Sequence, residues 1–295
     1  PEITPRARIG RISGWGWGLG YAGGLVCLVI ILVGFVETDS PLFGLDKSET
    51  KLEHVRAVGP ISALWYALFA LPLFLFTPDR RSKGISPVQA VRDGLATLVQ
   101  SLREIRRYAN IARYLLARMI YTDGLNTLFA VGGIFAHEAF GLELKEVLQF
   151  GIVIAVTAGL GAAAFAWVDD WIGAKRTVLI ALAALALIGA ALLLVHAKLW
   201  FWILAPALGV FFGPAQAASR SLMARLAPPE LRTEMFGLYA FSGKSTAFVG
   251  PFIYGVFTYA FGSTRAGMAT VLVFVVVGLL LLLPVREPRT PSGPA

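Results

Sequence analysis

Apolar residues along this chain fall in blocks of roughly 20, separated by short polar or charged punctuation. Blocks of that length match about 30 Å of hydrocarbon at about 1.5 Å of helical rise per residue. The pattern predicts eight membrane spans: Ile12–Val36, Ala57–Phe76, Ile111–Phe135, Val147–Val168, Thr177–Val195, Leu199–Ala215, Met235–Phe261 and Ala266–Pro284. The longest connection, between the second and third spans, has its own period. Val88, Val91, Leu95, Leu98, Leu102 and Ile105 recur every three or four residues, the mark of an amphipathic surface helix. The expected organisation is therefore two helices in residues 1–77, a loop with this helix in 78–110, six helices in 111–284 and a tail in 285–295.

Composition supports an all-α polytopic membrane protein embedded in a lipid bilayer. Of 295 residues, 57% are hydrophobic and 15% charged, where soluble domains carry about a quarter charged residues. The net charge of +8 could indicate nucleic acid. Most of the 26 lysines and arginines, however, fall on the side of the eight spans that both termini share. The positive-inside rule then places both termini in the cytoplasm and leaves no need for a nucleic-acid partner. A bacterial inner membrane is the expected location.

Little points to catalysis. The single cysteine, Cys27, allows no internal disulfide, and His54, His137 and His196 lack ligand spacing. No metal, cofactor or catalytic residue is expected. A membrane-embedded enzyme and a non-transporting membrane interaction protein are the competing classes.

Five stretches carry candidate chemistry. In "GWGWGLGYAGG", Gly18, Gly20 and Gly23 match the dinucleotide fingerprint, but no strand precedes them and an apolar run follows. The spacing that counts there is Gly16, Gly20 and Gly24, one small-residue face for helix packing. "YTDGLNT" puts Asp123 in the middle of the third span, with Tyr121, Asn126 and Arg118 nearby. A charge at bilayer centre costs roughly 2.5–3.5 kcal/mol on insertion scales and is normally paired or faces water. Gly124 after it suggests a local helix break. In the seventh span, "FSGKST" resembles the end of a P-loop, but the glycine spacing fails. Lys244 there reads instead as an intramembrane cation that could pair with Asp123, as could Arg118.

Gln216 follows Gly213-Pro214 in the sixth span, and Arg220 reads as an anchor at the cytoplasmic end. Pro214 and Pro251 are expected to bend their helices. Trp15, Trp17, Trp65, Trp171, Trp200 and Trp202 read as an interfacial belt. Last, "DDWIGAKR" joins the fourth and fifth spans. Gly173 gives the turn its freedom, Asp170 can cap the next helix, and Lys175 and Arg176 stay in water.

The Asp170, Gly173, Lys175, Arg176 pattern resembles the D-x-x-G-R-[KR]-[KR] loop of the major facilitator superfamily, in its degenerate copy between helices 8 and 9. On that register the long amphipathic connection falls between helices 6 and 7, where the superfamily has its central loop. The chain then resembles helices 5–12 of a twelve-helix permease, truncated at the N-terminus, with four helices expected upstream. "GRISGWGWGLGYAGG", "ALWYALFALPLFLF", "YTDGLNT", "GPAQAASRSLMARLAP" and "EMFGLYAFSGKSTAFVGPFIYG" are together similar to the vacuole-effluxer-like family of major facilitator permeases. That resemblance implies alternating-access transport of a small polar solute, with an amino acid as one candidate. It also implies that helices 7 and 10 line the cavity, which makes Gln216 a candidate lining residue, and that the glycine face of helix 5 packs on helix 8, where Gly159 and Gly161–Ala164 offer a small-residue surface. It leaves proton coupling open, with Asp123 the nearest candidate carrier.

Overall fold

A computed structural model describes residues 8–36, 42–46, 53–76 and 108–288, with isolated positions between them (5, 38, 86, 88, 89, 91, 92, 94 and 96). The amphipathic connection lies largely outside the described residues. Within them the chain is helical, with no strand. The helices are α1 (Ile9–Ile31), α2 (Glu53–Arg56), α3 (Val58–Phe76), α4 (Ala109–Phe140), α5 (Leu144–Ile172), α6 (Ala174–Leu194), α7 (Lys198–Leu226), α8 (Arg232–Ser242), α9 (Val249–Phe261) and α10 (Thr264–Leu282).

The chain divides into two compact units. One comprises Pro1–Tyr21 with Arg92–Ala295, and the other Ala22–Val91. In the second unit, α3 is an apolar helix with no buried residue, and a π-helical turn, Leu32–Val36, extends α1.

The first unit is a helix bundle whose tightest contacts are made through glycine. α5 packs most extensively on α7, α10 on α4, and α6 on α7. A Cβ on Gly161 would strike the Val210 carbonyl oxygen of α7, and one on Gly213 would strike the Ala158 carbonyl oxygen of α5. On α4, a Cβ at Gly124 would come within 2.8 Å of the Phe274 Cβ on α10. Small residues let backbones approach where lipid supplies no hydrophobic drive between helices.

Six helices are long and apolar enough to cross a membrane by length and composition: Ile9–Phe35, Val58–Phe76, Gln149–Ile172, Ala174–Leu194, Lys198–Leu226 and Thr264–Leu282. Two predicted spans take other forms. The third becomes α4, 32 residues long and carrying Arg113, Arg118 and Asp123. The seventh is interrupted, with α8 ending at Ser242, α9 starting at Val249, and turns at 243–248 between them.

The break expected at Gly124 is not there. α4 runs unbroken through it, because Gly124 serves close approach to α10 rather than a bend. The interruption lies in the facing helix, just before Pro251. A proline there cannot donate to the carbonyl of Ala247, and its ring crowds that turn.

Candidate functional site

α1, α4 and α7 enclose an open cavity of about 710 Å³. α1 contributes Gly16, Trp17, Gly20 and Tyr21, α4 contributes Asn126, Phe129 and Ala130, and α7 contributes Phe212, Gln216 and Arg220. The volume suits a small solute, and the lining has the usual mixture of apolar walls and few polar groups. Asn126 and Gln216 offer donors and acceptors, and Arg220 supplies the cation.

Arg220 is held from α1. Its Nε donates to the Ser13 hydroxyl at 3.1 Å and its Nη2 to the Ser13 carbonyl at 3.0 Å. Ser13 in turn donates to the Ala217 carbonyl at 2.7 Å. A guanidinium carries five N–H donors, so this clamp fixes the fork and leaves donors over. The buried Nε1 of Trp17 has no partner among the described residues. Arg220, expected as an anchor, and Trp17, expected in an interfacial belt, both line the cavity. Gly16 made both legible only in retrospect: its missing side chain leaves space 3.5 Å from Arg220 Nη2. A second, apolar cavity of about 260 Å³ adjoins the first, sharing Phe129, Ala130 and Phe212.

The glycine face on α1 is displaced from the expected one. A Cβ on Gly14 would come within 2.5 Å of the Ala162 carbonyl oxygen of α5, and one on Gly18 within 3.1 Å of that of Gly159. Gly10 meets Asp169 and Asp170 in the same way. At Gly20 and Gly24 a Cβ would meet nothing within 4 Å. The partner helix is the expected one, but the packed stripe is Gly10, Gly14 and Gly18. Gly16 and Gly20 face the cavity. Two interleaved four-residue glycine registers exist in this segment, and hydropathy does not choose between them.

The pairing expected for Asp123 also differs. Among the described residues no ion pair joins Asp123 to Lys244 or to Arg118. Both α4 charges instead address the interruption between α8 and α9. Arg118, buried, donates through Nη1 to the Tyr239 carbonyl at 2.7 Å and to the Ser242 hydroxyl at 2.9 Å. Its guanidinium lies 3.5 Å from the centre of the Tyr239 ring. Gly243 makes room, since a Cβ there would be 2.7 Å from Nη1. Arg118 therefore sits at the carbonyl end of α8. Asp123, 3% exposed, accepts the Gly250 N–H through Oδ2 at 3.2 Å. It therefore sits at the N–H end of α9. A cation at a helix C-terminus and an anion at an N-terminus each complement the helix dipole.

Five residues separate the two charges on α4, about 7.5 Å of rise and about 140° of turn. That spacing matches a gap in a facing helix better than a mutual pair. Lys244, in the gap, is exposed. Tyr121 is buried away from the cavity, its hydroxyl 2.7 Å from that of Ser219 on α7.

The turn between α5 and α6 carries a separate cluster in which charges meet charges. Gly173 adopts φ +93°, which glycine alone takes without strain. Asp170 does not cap α6 but accepts the Gly10 N–H at 3.0 Å and pairs with Arg11 Nε at 2.9 Å. The cap comes from Glu287, whose two oxygens accept the N–H groups of Ala174 and Lys175 at 3.0 and 2.8 Å. Lys175 Nζ donates to the Leu283 carbonyl at 2.7 Å, and Arg176 is exposed. Arg225 of α7 joins the groups, with Asp169 at 2.9 Å, Glu287 at 2.8 Å and Asp170 at 3.5 Å. Glu287 gave no sequence signal, since it follows the last apolar block in what reads as a tail.

Comparison with known proteins bears on this arrangement. Residues 3–291 match the family model described as vacuole effluxer Atg22-like. An uncharacterized MFS-type transporter, YxiO, of Bacillus subtilis (strain 168) is 25% identical over 97% of this chain and 65% of its own length. Autophagy-related protein 22-1 of Penicillium rubens is 23% identical over 93% of the chain and 49% of its own length. Autophagy-related protein 22 of Cryptococcus neoformans var. neoformans (strain JEC21) is 25% identical over 92% and 49%. The chain thus spans about half to two-thirds of the length of these relatives. With a match over nearly all of its length, a bundle of apolar helices and a polar cavity among them, the chain belongs to the vacuole effluxer Atg22-like family of membrane proteins.

Proposed function

We propose that this chain forms part of a secondary active transporter that moves a small polar solute by alternating access, with the cavity between α1, α4 and α7 as its solute site. The observation that carries this reading is the cavity itself, about 710 Å³, with Asn126, Gln216 and the clamped Arg220 on its wall. The MFS-type description of the Bacillus relative supports the transport class. An amino acid fits the lining. Arg220 would take the carboxylate, the side-chain carbonyls of Asn126 and Gln216 would accept from the ammonium group, and Trp17, Tyr21, Phe129 and Phe212 would cover an apolar side chain.

On this reading eight helices cross the bilayer, with α8 and α9 together making one crossing. They correspond to helices 5–12 of a major facilitator fold, four more lie upstream, and both termini are cytoplasmic. The test is counterflow of labelled amino acids in proteoliposomes carrying the full-length protein. Flux should appear, and Gln216→Ala and Asn126→Ala should raise KM with little change in expression. Absence of flux for every small polar solute tried, or variants with an unaltered KM, would sink the cavity as the solute site.

A further inference from the structure

We infer that Asp123 is a proton-binding site, and that proton uptake there loosens the joint between α8 and α9. The starting observation is an unmatched oxygen. Asp123 Oδ2 accepts the Gly250 N–H, but Oδ1 is buried and has no partner among the described residues. A buried carboxylate without a cation is costly, and the cost is removed by a counter-ion or by a proton.

The surroundings select the proton. On its own helix, Arg118 is engaged with Tyr239 and Ser242 of α8. In the joint, Lys244 is exposed and makes no ion pair with Asp123. α9 contributes Tyr254 and no charged residue. The ionisable residue of α10 is Arg265, which donates to the carbonyls of Ala139, Leu192 and Leu193. Ala139 is 16 residues along α4 from Asp123, about 24 Å of rise. A metal cation needs several convergent oxygens, and no group of three or more metal-binding side chains exists among the described residues. A proton needs one oxygen. It would come from hydronium in the solvent, which is left as water, form the O–H bond at Oδ1 and take the side chain from −1 to neutral. The Thr127 hydroxyl, which donates to the Asp123 carbonyl at 2.8 Å, lies against Gly250 and retains acceptor lone pairs.

The consequence follows from what Asp123 holds. As an anion it satisfies an orphan N–H in the first turn of α9 and complements that helix end. Neutralised, it loses the charge-assisted part of the bond. Of the two α4 side chains at the joint, only Arg118 then keeps its charge. Discontinuous helices are where transporters place ion-coupling groups. On the transporter reading above, from which it takes only its consequence, this couples proton binding to helix movement.

The test is hydrogen–deuterium exchange of the joint and the first turn of α9 in the 295-residue chain in lipid nanodiscs, across pH and corrected for intrinsic exchange. Protection should fall roughly fivefold to thirtyfold on acidification, the factor for one partly buried charge at a helix terminus. Asp123→Asn should show the low protection at every pH. Asp123→Glu, which keeps a titrating group, should keep the response with a displaced midpoint, and it serves if the Asn form does not assemble. A wild-type joint with no pH response, a response that survives in Asp123→Asn, or an unmoved midpoint in Asp123→Glu would overturn the proposal. Solute flux is not read here. A missing pH response would therefore leave the transport reading standing, and failed flux would leave the proton site standing.

Discussion

Two sets of charges in the bundle solve the same problem differently. At the turn between α5 and α6, Arg225 meets Asp169, Asp170 and Glu287, and Asp170 also takes Arg11. Charges there pair with charges. At the joint between α8 and α9, Arg118 and Asp123 pair with the two open ends of a broken helix and not with one another. The first arrangement is stabilising only as a set, because removing one member strands the rest. The second divides into two independent contacts, each of which can be released alone. On the proposed alternating-access reading, the releasable charges lie in the interior of the bundle and the locked ones at an end.

That contrast can be broken by mutation. The largest effect is expected for Arg225→Ala, which leaves three carboxylates without their common cation. Breaking a buried pair costs about 3–5 kcal/mol, so thermal unfolding in detergent should show severe loss. A change below about 1 kcal/mol would mean the cluster is not locked. Next come the glycines of α1. Gly14→Leu drives a side chain into the Ala162 backbone, and overpacking of this kind costs about 1–3 kcal/mol. Gly20→Leu should leave the melting temperature alone and raise KM instead, since it projects toward the cavity. Equal destabilisation by the two would return the packing face to Gly16, Gly20 and Gly24.

Arg118→Met should cost about 1–2 kcal/mol, the scale of a partly buried charge at a helix end. It should loosen α8 in hydrogen exchange without loosening α9. The smallest effect belongs to the exposed pair of Lys198 with Glu146, 2.6 Å apart at the opposite helix ends from the turn cluster. The Lys198 ammonium, then the Glu143 N–H, hold the Glu146 carboxyl below its ordinary value of 4.5. A depressed carboxylate contributes stability above its unfolded pKa and loses it as pH falls through the folded one. Lys198→Ala should therefore lower the melting temperature slightly at neutral pH, with the difference vanishing in acid below that range. A difference that grew on acidification would reverse the sign.

Legibility in the sequence followed the strength of the local signal. Apolar blocks of membrane length are dictated by the bilayer, and most reappear as helices close to their expected bounds. The D-x-x-G-x-K-R turn was legible because Gly173 must take a positive φ. Asn126 and Gln216 were legible as polar residues in apolar helices. What failed depended on neighbours distant in sequence. Which glycine register packs depends on how α1 is rotated against α5. Arg220 looked like an anchor because Ser13, which turns it inward, lies 207 positions away. The supposed pair of Asp123 with Lys244 rested on an unbroken seventh span. Pro251 signalled a bend, and the structure made it a gap with two helix ends to satisfy.

Asp123 answers a helix end and not a lysine. The most direct measurement is a double-mutant cycle of unfolding free energy between Asp123→Asn and Lys244→Met in the same membrane mimetic. Two residues that do not interact should give additive effects, with a coupling no larger than about 0.5 kcal/mol. A coupling of about 1 kcal/mol or more would show that the two charges meet, and the helix-end assignment of Asp123 would be wrong.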